Sequence, residues 1–376
     1  MKYRIDFINS SYRRFFKKHG KEIDKVITDC LSKGRLMLRE DTWKLEENLA
    51  KFTRTKYCAT VGSGTDALFL SLLALGVGKG DEVITVSNTF IATIQAIVHA
   101  GATPILVDVG EDELIDIEKL EKALTKKTKA IIPVHYTGEM ADMASIMRLA
   151  ESCGIYVIED VAQAIGATLG GKYAGSWGDL GCFSFNNAKL LGGIDDGGAV
   201  VTNNRKLYEK ICLLRNHWNV HQLSVNAKDY PQPKVMKWAW KSRIGNVNAA
   251  FLNVKFKYIK QNLERRKEIA IYYNAWFDGL PVTVSTQREG RVWQEYHLRT
   301  KERNKFVKYL KNKGIETLVR DSVPNHKQKG LGLSHFNLPI TEKLAKQVVR
   351  LPLYPELSDK EVDYIVKTVR KFYGEA

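Results

Sequence analysis

The chain has no unbroken apolar run of about 18 residues, the length that reads as a membrane helix, so no span is predicted. No apolar signal core follows its start. "MKYRIDFINSSYRRFF" is mixed and basic, which predicts a cytoplasmic protein rather than a secreted one. Cysteine is scarce. Cys30, Cys58, Cys153, Cys182 and Cys212 are scattered and odd in number, with no CxxC or zinc spacing. They read as reduced thiols, most of them buried packing residues, and no metal site is predicted. Acid is short relative to base: 42 Asp and Glu against 58 Lys and Arg give a formal net charge of +16. Such a surplus suits nucleic acid or small anionic substrates. No compact Arg-rich tract or RNA-binding signature accompanies it. The lysines are spread through helical stretches such as "RTKERNKFVKYLKNKG", as on solvated faces, so no nucleic-acid partner is predicted. Internal repeats and low-complexity segments are also missing. What remains is an ordinary globular composition over 376 residues, enough for two domains around substantial cores.

What the sequence does have is alternation. The first fifty residues read as two helices. "KEIDKVITDCLSKG" carries a helical stripe of Ile23, Val26, Ile27, Cys30 and Leu31 and stops at Gly34; "DTWKLEENLAKF" follows, with Asp41 as its cap. Short apolar strands then alternate with amphipathic helices, from "YCATVG" through "EVITVS", "TPILVDV" and "AIIPVH" to "YVIED". "CFSF" and "GGAVVTN" add two more strands. This pattern predicts an α/β fold with a mostly parallel sheet covered on both faces, whose ligand sits beyond the carboxyl ends of the strands. From about 204 to 280 the pattern is long and helical, interrupted by the irregular, aromatic "HWNVHQLSVNAKDYPQPKVMKWAWKSR", a loop long enough to be functional. Later short strands ("VWQEYHLRT", "IETLVR") and helices ("RNKFVKYLKNKG", "DKEVDYIVKTVRKFY") predict a smaller α/β domain. The predicted division is 1–250 and 251–376.

Five features fall at strand ends or helix starts. In "VGSGTDAL" a strand ends at Gly62 and a helix begins near Thr65, so exposed amides favour a phosphate. The same letters match a dinucleotide fingerprint, but the next strand ends at Ser87 and Asn88, where that fingerprint needs an acid. In "SNTFIAT" Phe90 opens a helix. It either packs in the core or covers a flat cofactor. In "VIEDVAQAIGA" an apolar strand runs into Glu159 and Asp160, where a carboxylate needs a cationic or hydrogen-bonded partner. It either caps a helix or holds a protonated ring nitrogen, with Gln163 on the same side of the turn. In "CFSFNNAKLLGGIDDGG" Ser184 supplies a hydroxyl and Lys189 an amine in a glycine-rich, mostly uncharged setting. A lysine held in a dry pocket has a lowered pKa and can attack a carbonyl. In "WKSRIGNVNAA", Lys241 and Arg243 precede a helix.

Together these supply what pyridoxal phosphate needs: helix-start amides, a ring cover, an acid for the ring nitrogen and an amine for the aldehyde. The chain resembles the sugar aminotransferases of the DegT/DnrJ/EryC1/StrS family. The matching segments include "VGSGTDAL", "GDEVITVSNTFIAT", "KAIIPVHYTGEMADM", "VIEDVAQAIGA", "GSWGDLGCFSFNNAK", "DDGGAVVTN", "LRNH" and "LPLYPEL", and run in order through nearly the whole chain. The resemblance implies the type I aminotransferase fold, with a large domain bearing a mostly parallel mixed sheet between helices and a smaller C-terminal α/β domain. It implies a Schiff base between pyridoxal 5'-phosphate and Lys189, Asp160 at the pyridine nitrogen, Gln163 at the ring hydroxyl and Phe90 on the ring. Gly64, Thr65 and Ser184 would hold the phosphate, and His326 would lie near the sugar nucleotide, although "RDSVPNHKQKG" departs from the family's usual tyrosine-proline run. The family's Arg-Asn-His-Gly reads "RNHW" here, with Trp218, and Lys241 stands where asparagine is usual before Ser242 and Arg243. Members are typically homodimers with shared active sites, so Lys241 is implied to reach the cofactor phosphate of the neighbouring subunit.

The implied activity is transfer of an amino group from L-glutamate to a keto-sugar, expected to be nucleotide-linked, in amino-sugar or surface-polysaccharide (lipopolysaccharide) biosynthesis; "VITVSNTFIAT" favours 3-keto over 4-keto sugars. The alternatives are a keto-sugar dehydratase of the same family, whose members carry histidine where this chain has Lys189, and a non-catalytic nucleic-acid-binding regulator suggested by charge alone.

Overall fold

The structure, a computed structural model, describes residues 3–218, 235–285, 287–320 and 322–374. Most of the aromatic loop singled out in the sequence lies outside the described residues. The chain opens with helices α1 (Asn9–Ser32) and α2 (Glu40–Thr53), then alternates through β1 (Tyr57–Val61), α3 (Gly64–Ala74), β2 (Glu82–Val86), α4 (Ala92–His99) and β3 (Thr103–Val107). It continues with α5 (Ile117–Lys122), β4 (Thr128–Ile131), α6 (Met143–Cys153) and β5 (Tyr156–Asp160). A small hairpin, β6 (Thr168–Leu169) and β7 (Lys172–Tyr173), precedes β8 (Leu180–Ser184), β9 (Gly198–Thr202), α7 (Arg205–Leu214), α8 (Asn246–Phe256) and α9 (Ile259–Phe277). The last elements are β10 (Thr283–Val284), β11 (Tyr296–Arg299), α10 (Arg303–Asn312), α11 (Pro339–Gln347), β12 (Val348–Leu351) and α12 (Asp359–Phe372).

Seven strands form the large sheet in the order β1-β9-β8-β5-β4-β2-β3. β9 pairs antiparallel with both neighbours and the remaining pairs are parallel, so six strands present their carboxyl ends at one edge. Side chains alternate across a strand. Here Val83, Ala130, Ile158, Cys182 and Val200 pack with α3, α4 and α7. Their neighbours Ile84, Ile131, Val157, Phe183 and Val201 pack with α2, α6 and α8. Burial on both faces explains why these strands read as continuous apolar runs. The two strands expected from "CFSF" and "GGAVVTN" are β8 and β9.

The smaller sheet, β10-β11-β12, is antiparallel and shares its core with α9, α10 and α12 through Tyr273, Phe277, Tyr296, Leu310, Leu351 and Ile365. Ile5 joins this core and pairs with Ile315, so the start of the chain packs with its last third. The division expected at 250 falls inside α8, whose Ala249 and Leu252 belong to the large core. "IETLVR" has the letters of a strand but makes only single bridges, Ile315 to Ile5 and Leu318 to Arg350. Asp41 lies in the first turn of α2 rather than at its cap, where Arg39 stands; the Asp41 carboxylate accepts from Asn246 (3.1 Å). α1 begins well before the expected stripe and runs through Gly20. Packing of Phe15 and Ile23 against Phe251 and Val254 outweighs the ~1 kcal/mol that a mid-helix glycine costs.

Candidate active site

The carboxyl ends of β5 and β8, the start of α3 and the turn before α4 open onto one cavity of about 550 Å³. Each wall has a local cause. Ser63 caps α3, its hydroxyl accepting the Asp66 N–H at 3.0 Å. That leaves the Gly64 and Thr65 N–H groups without a protein partner among the described residues. A Cβ on Gly64 would stand 2.7 Å from Ser184 Cβ, so only glycine lets the helix start approach the end of β8 this closely. The result is two free amides beside the Ser184 hydroxyl, a cradle suited to a phosphate. Behind it, Ser242 Oγ accepts the Gly62 N–H (2.9 Å) and donates to Asp66 Oδ2 (2.8 Å), fixing the turn.

The paired acids at the end of β5 part company by alternation. Glu159 is fully buried on the α6 side, accepting from Gly175, Trp177 and Gly178 N–H groups at 2.7–2.9 Å and lying 3.0 Å from His135 Nε2. It is a structural carboxylate. Asp160 points the other way and lines the cavity. Thr93 donates to its Oδ2 at 2.8 Å and the Ala162 N–H to its Oδ1 at 3.1 Å, so the carboxylate is held in place with room for a further donor. Gln163 also lines the cavity. Its amide oxygen accepts the Thr137 N–H (2.9 Å), which leaves the NH2 end for a ligand oxygen.

Lys189 sits on the loop after β8 and is half-buried at the cavity. Burial lowers its pKa below the ordinary lysine value. Glu295 and Asp160 oppose that shift, while Arg320 and Arg350 add to it. The loop is clamped from outside. Gln294 donates to Ala188 O (2.7 Å) and accepts the Leu190 N–H (2.9 Å), gripping the chain on both sides of Lys189. Tyr12 donates to Asn187 O, and Lys255 to Gly192 O at 2.8 Å. From the sequence, Gln294 and Glu295 read only as part of a strand. Their signal is two adjacent polar letters between Trp293 and Tyr296, both of which are core residues. Arg320, which also lines the cavity, has no such signal and escapes sequence reasoning altogether.

Phe90 is 56% exposed and faces the cavity, two residues before α4 begins, so the core-packing reading of this ring is corrected. His326 is not brought to the cavity. It is fully buried, with Nδ1 2.8 Å from Ser87 Oγ and Nε2 3.2 Å from Glu342 Oε1. Beside it, Asn325 donates to Ser87 O (3.0 Å) and Thr89 O (2.7 Å). The Asn325–His326 pair therefore grips the turn that carries Phe90, which gives His326 a supporting position in its own chain. Lys241 is exposed, its backbone bridged to Asn216, and it does not line the cavity of its own chain. The other groups converge on a flat ligand bearing an anionic tail, a basic ring nitrogen, an oxygen beside it and a carbonyl within reach of an amine.

The profile described as the DegT/DnrJ/EryC1/StrS aminotransferase family matches residues 17–370. The chain is 38% identical to the "Pleiotropic regulatory protein" of Geobacillus stearothermophilus, over 94% of each chain. It is also 38% identical to the dTDP-3-amino-3,6-dideoxy-alpha-D-galactopyranose transaminase of Aneurinibacillus thermoaerophilus, over 96% of this chain and 98% of that one. Among solved structures, S. venezuelae DesV in complex with a ketimine intermediate aligns over all of both chains, with TM-score 0.90 and 32% identity.

Proposed function

The chain belongs to the DegT/DnrJ/EryC1/StrS aminotransferase family and is a pyridoxal-phosphate-dependent sugar aminotransferase of the type I fold; from that premise we propose that it moves the amino group of L-glutamate to a nucleotide-linked 3-keto sugar. The observation that carries the reading is the meeting of Lys189, Asp160 and the free amides of α3 on one cavity. The 3-position rests on the 3-amino product in the name of the Aneurinibacillus relative.

The residues present fit the cofactor. Gly64, Thr65 and Ser184 would hold its phosphate, Gln163 its ring oxygen, Asp160 its ring nitrogen and Phe90 one face. When bound, pyridoxal phosphate supplies an aldehyde that takes up the amino group and a ring that draws electrons from the reacting carbon. The chain supplies the rest. The Asp160 carboxylate, fixed by Thr93 and the Ala162 N–H, keeps a proton on the ring nitrogen. Lys189 Nζ, with its pKa lowered by burial, is the base that takes the proton from the donor's α-carbon and delivers one to the sugar carbon that receives nitrogen. The Gln294 clamp fixes the backbone on either side of Lys189 and so would position that amine for both transfers.

Two subunits would share each site. Leu36, Met37, Trp238 and Trp240 are exposed apolar side chains close in sequence or backbone pairing to Lys241 and Gly245, which supports a subunit boundary there. Lys241 would cross it to the partner's cofactor phosphate. The test is a panel of nucleotide-linked 3-keto and 4-keto sugars with glutamate as amino donor. Turnover of a 3-keto sugar is expected. Turnover of 4-keto sugars alone would overturn the position, and loss of a hydroxyl without amination would favour the dehydratase. A colourless protein that binds DNA and takes up no pyridoxal phosphate would favour the regulator.

A further inference from the structure

We propose that Arg320 forms a subsite for a carboxylate of the substrate, on the cavity that also holds the phosphate cradle. The proposal rests on the aminotransferase reading, in which the donor is a dicarboxylate. Among the described residues that line the cavity, Lys189 and Arg320 are the cations. Lys189 is committed to the reaction. Arg320 stands apart. It follows Leu318, whose backbone exchanges two hydrogen bonds with Arg350 (2.9 and 3.1 Å), so it hangs from the edge of the small sheet over the cavity.

The described residues around Arg320 leave it short of a full counter-ion. Among the described residues, Glu295 is the acid that approaches it, at 3.6 Å, but the same carboxylate lies 2.5 Å from Arg350 Nε, with His297 3.7 Å away. Burial pushes the Glu295 carboxyl up, and Arg350, His297 and Arg320 outweigh burial and hold it far below the usual range. Glu295 is therefore an anion already matched by the buried Arg350. Asp160 is engaged by Thr93 and the Ala162 N–H and would face the ring nitrogen of the bound cofactor. Asp196 is exposed at the rim and accepts from Asn186 at 2.8 Å. Arg320 keeps 36% of its side chain exposed, with its guanidinium only loosely held. A planar fork of donors beside a half-dry cavity suits a carboxylate, which it can bind through two parallel hydrogen bonds. Glu295 keeps the fork from swinging into solvent, and Arg350 keeps Glu295 from neutralising it.

The carboxylate can come from the donor or from an acidic sugar, and the two are separable. With holoenzyme, binding of glutarate, an unreactive dicarboxylate, is measured by its perturbation of the cofactor absorbance. Binding of UDP-glucuronate and of UDP-glucose, which differ in one carboxylate, is measured by calorimetry. Arg320→Gln is expected to weaken glutarate roughly 10- to 100-fold if the donor fills the subsite. A similar loss for UDP-glucuronate, with UDP-glucose unchanged, would assign the subsite to an acidic sugar. Arg320→Lys, which keeps the charge and loses the fork, should recover part of the affinity. Unchanged affinity for both carboxylates would overturn the proposal, as would equal weakening of all three ligands. Because these arms read binding, an enzyme that fails to aminate every sugar offered would sink the reaction assignment without touching the role of Arg320.

Discussion

Asp160 and Glu159 are adjacent letters with opposite fates, and the difference is testable at the single side chain. Asp160→Asn keeps the shape of the carboxylate and an oxygen to accept the Ala162 N–H, and its NH2 can donate to the Thr93 hydroxyl in place of accepting from it. It removes the charge proposed to keep the ring nitrogen protonated. The variant should retain cofactor and react with glutamate roughly 100- to 1,000-fold more slowly, the scale seen when one electrostatic stabiliser is removed. Stopped-flow absorbance of the glutamate half-reaction reads this, and an unchanged rate would reduce Asp160 to a structural group. Glu295 gives a different signature. Its folded pKa lies below the ordinary value of 4.5. A depressed carboxylate contributes stability that is present above the unfolded pKa and is lost as pH falls toward the folded one. Glu295→Gln leaves Arg350 buried without its counter-ion, so stability near neutral pH should fall by about 3–5 kcal/mol. The variant should also lose less further stability than wild type between about pH 5 and pH 3. Denaturant melts at several pH values measure both effects, and parallel pH curves would contradict the assignment.

At the scale of elements, the sequence is most legible where one local rule governs. β1, β2, β3, β4, β5, β8 and β9 are readable because strands buried on both faces are short apolar runs. The phosphate cradle is readable because Gly64, Thr65 and the strand end before them make a local pattern. Legibility fails where pairing is set from a distance. β12 is short and interrupted by Arg350, and its register against β11 is fixed by the small core rather than by its own letters. "IETLVR" has strand-forming residues, yet its neighbours leave it only single bridges. The Gln294 clamp joins segments 104 and 106 residues apart, which no spacing rule detects. The setting of His326 is hidden from sequence reasoning for the same reason. Its partners Ser87 and Glu342 are distant in sequence, and only the fold makes it a brace for the Phe90 turn. His326→Ala should lower stability by about 1–3 kcal/mol, the cost of stranding buried partners. It should also weaken cofactor retention, with little change in the KM for the sugar. A raised sugar KM with cofactor affinity intact would restore a direct substrate contact.

For the whole molecule, α1, the approach to the small sheet and α8 all support one loop. Tyr12 of α1, Gln294 before β11 and Lys255 of α8 each bond to the segment around Lys189. If sites are also shared between subunits, complementation follows. Lys189→Ala and Lys241→Ala homodimers should each be impaired. Mixed subunits place both lesions in one site and neither in the other, so activity should partly return once exchange is verified. Verified exchange without recovery would mean that Lys241 acts within its own chain or not at all.

The proposed chemistry turns on Lys189 as the amine that would hold the cofactor and work on the substrate. The most direct measurement is peptide mass spectrometry of holoenzyme reduced with borohydride and digested. The cofactor's mass is expected on the peptide containing Lys189, and prior treatment with glutamate should remove the label by converting the cofactor to its amine form. A label on another lysine, or no label on a protein that still aminates a sugar, would contradict that role.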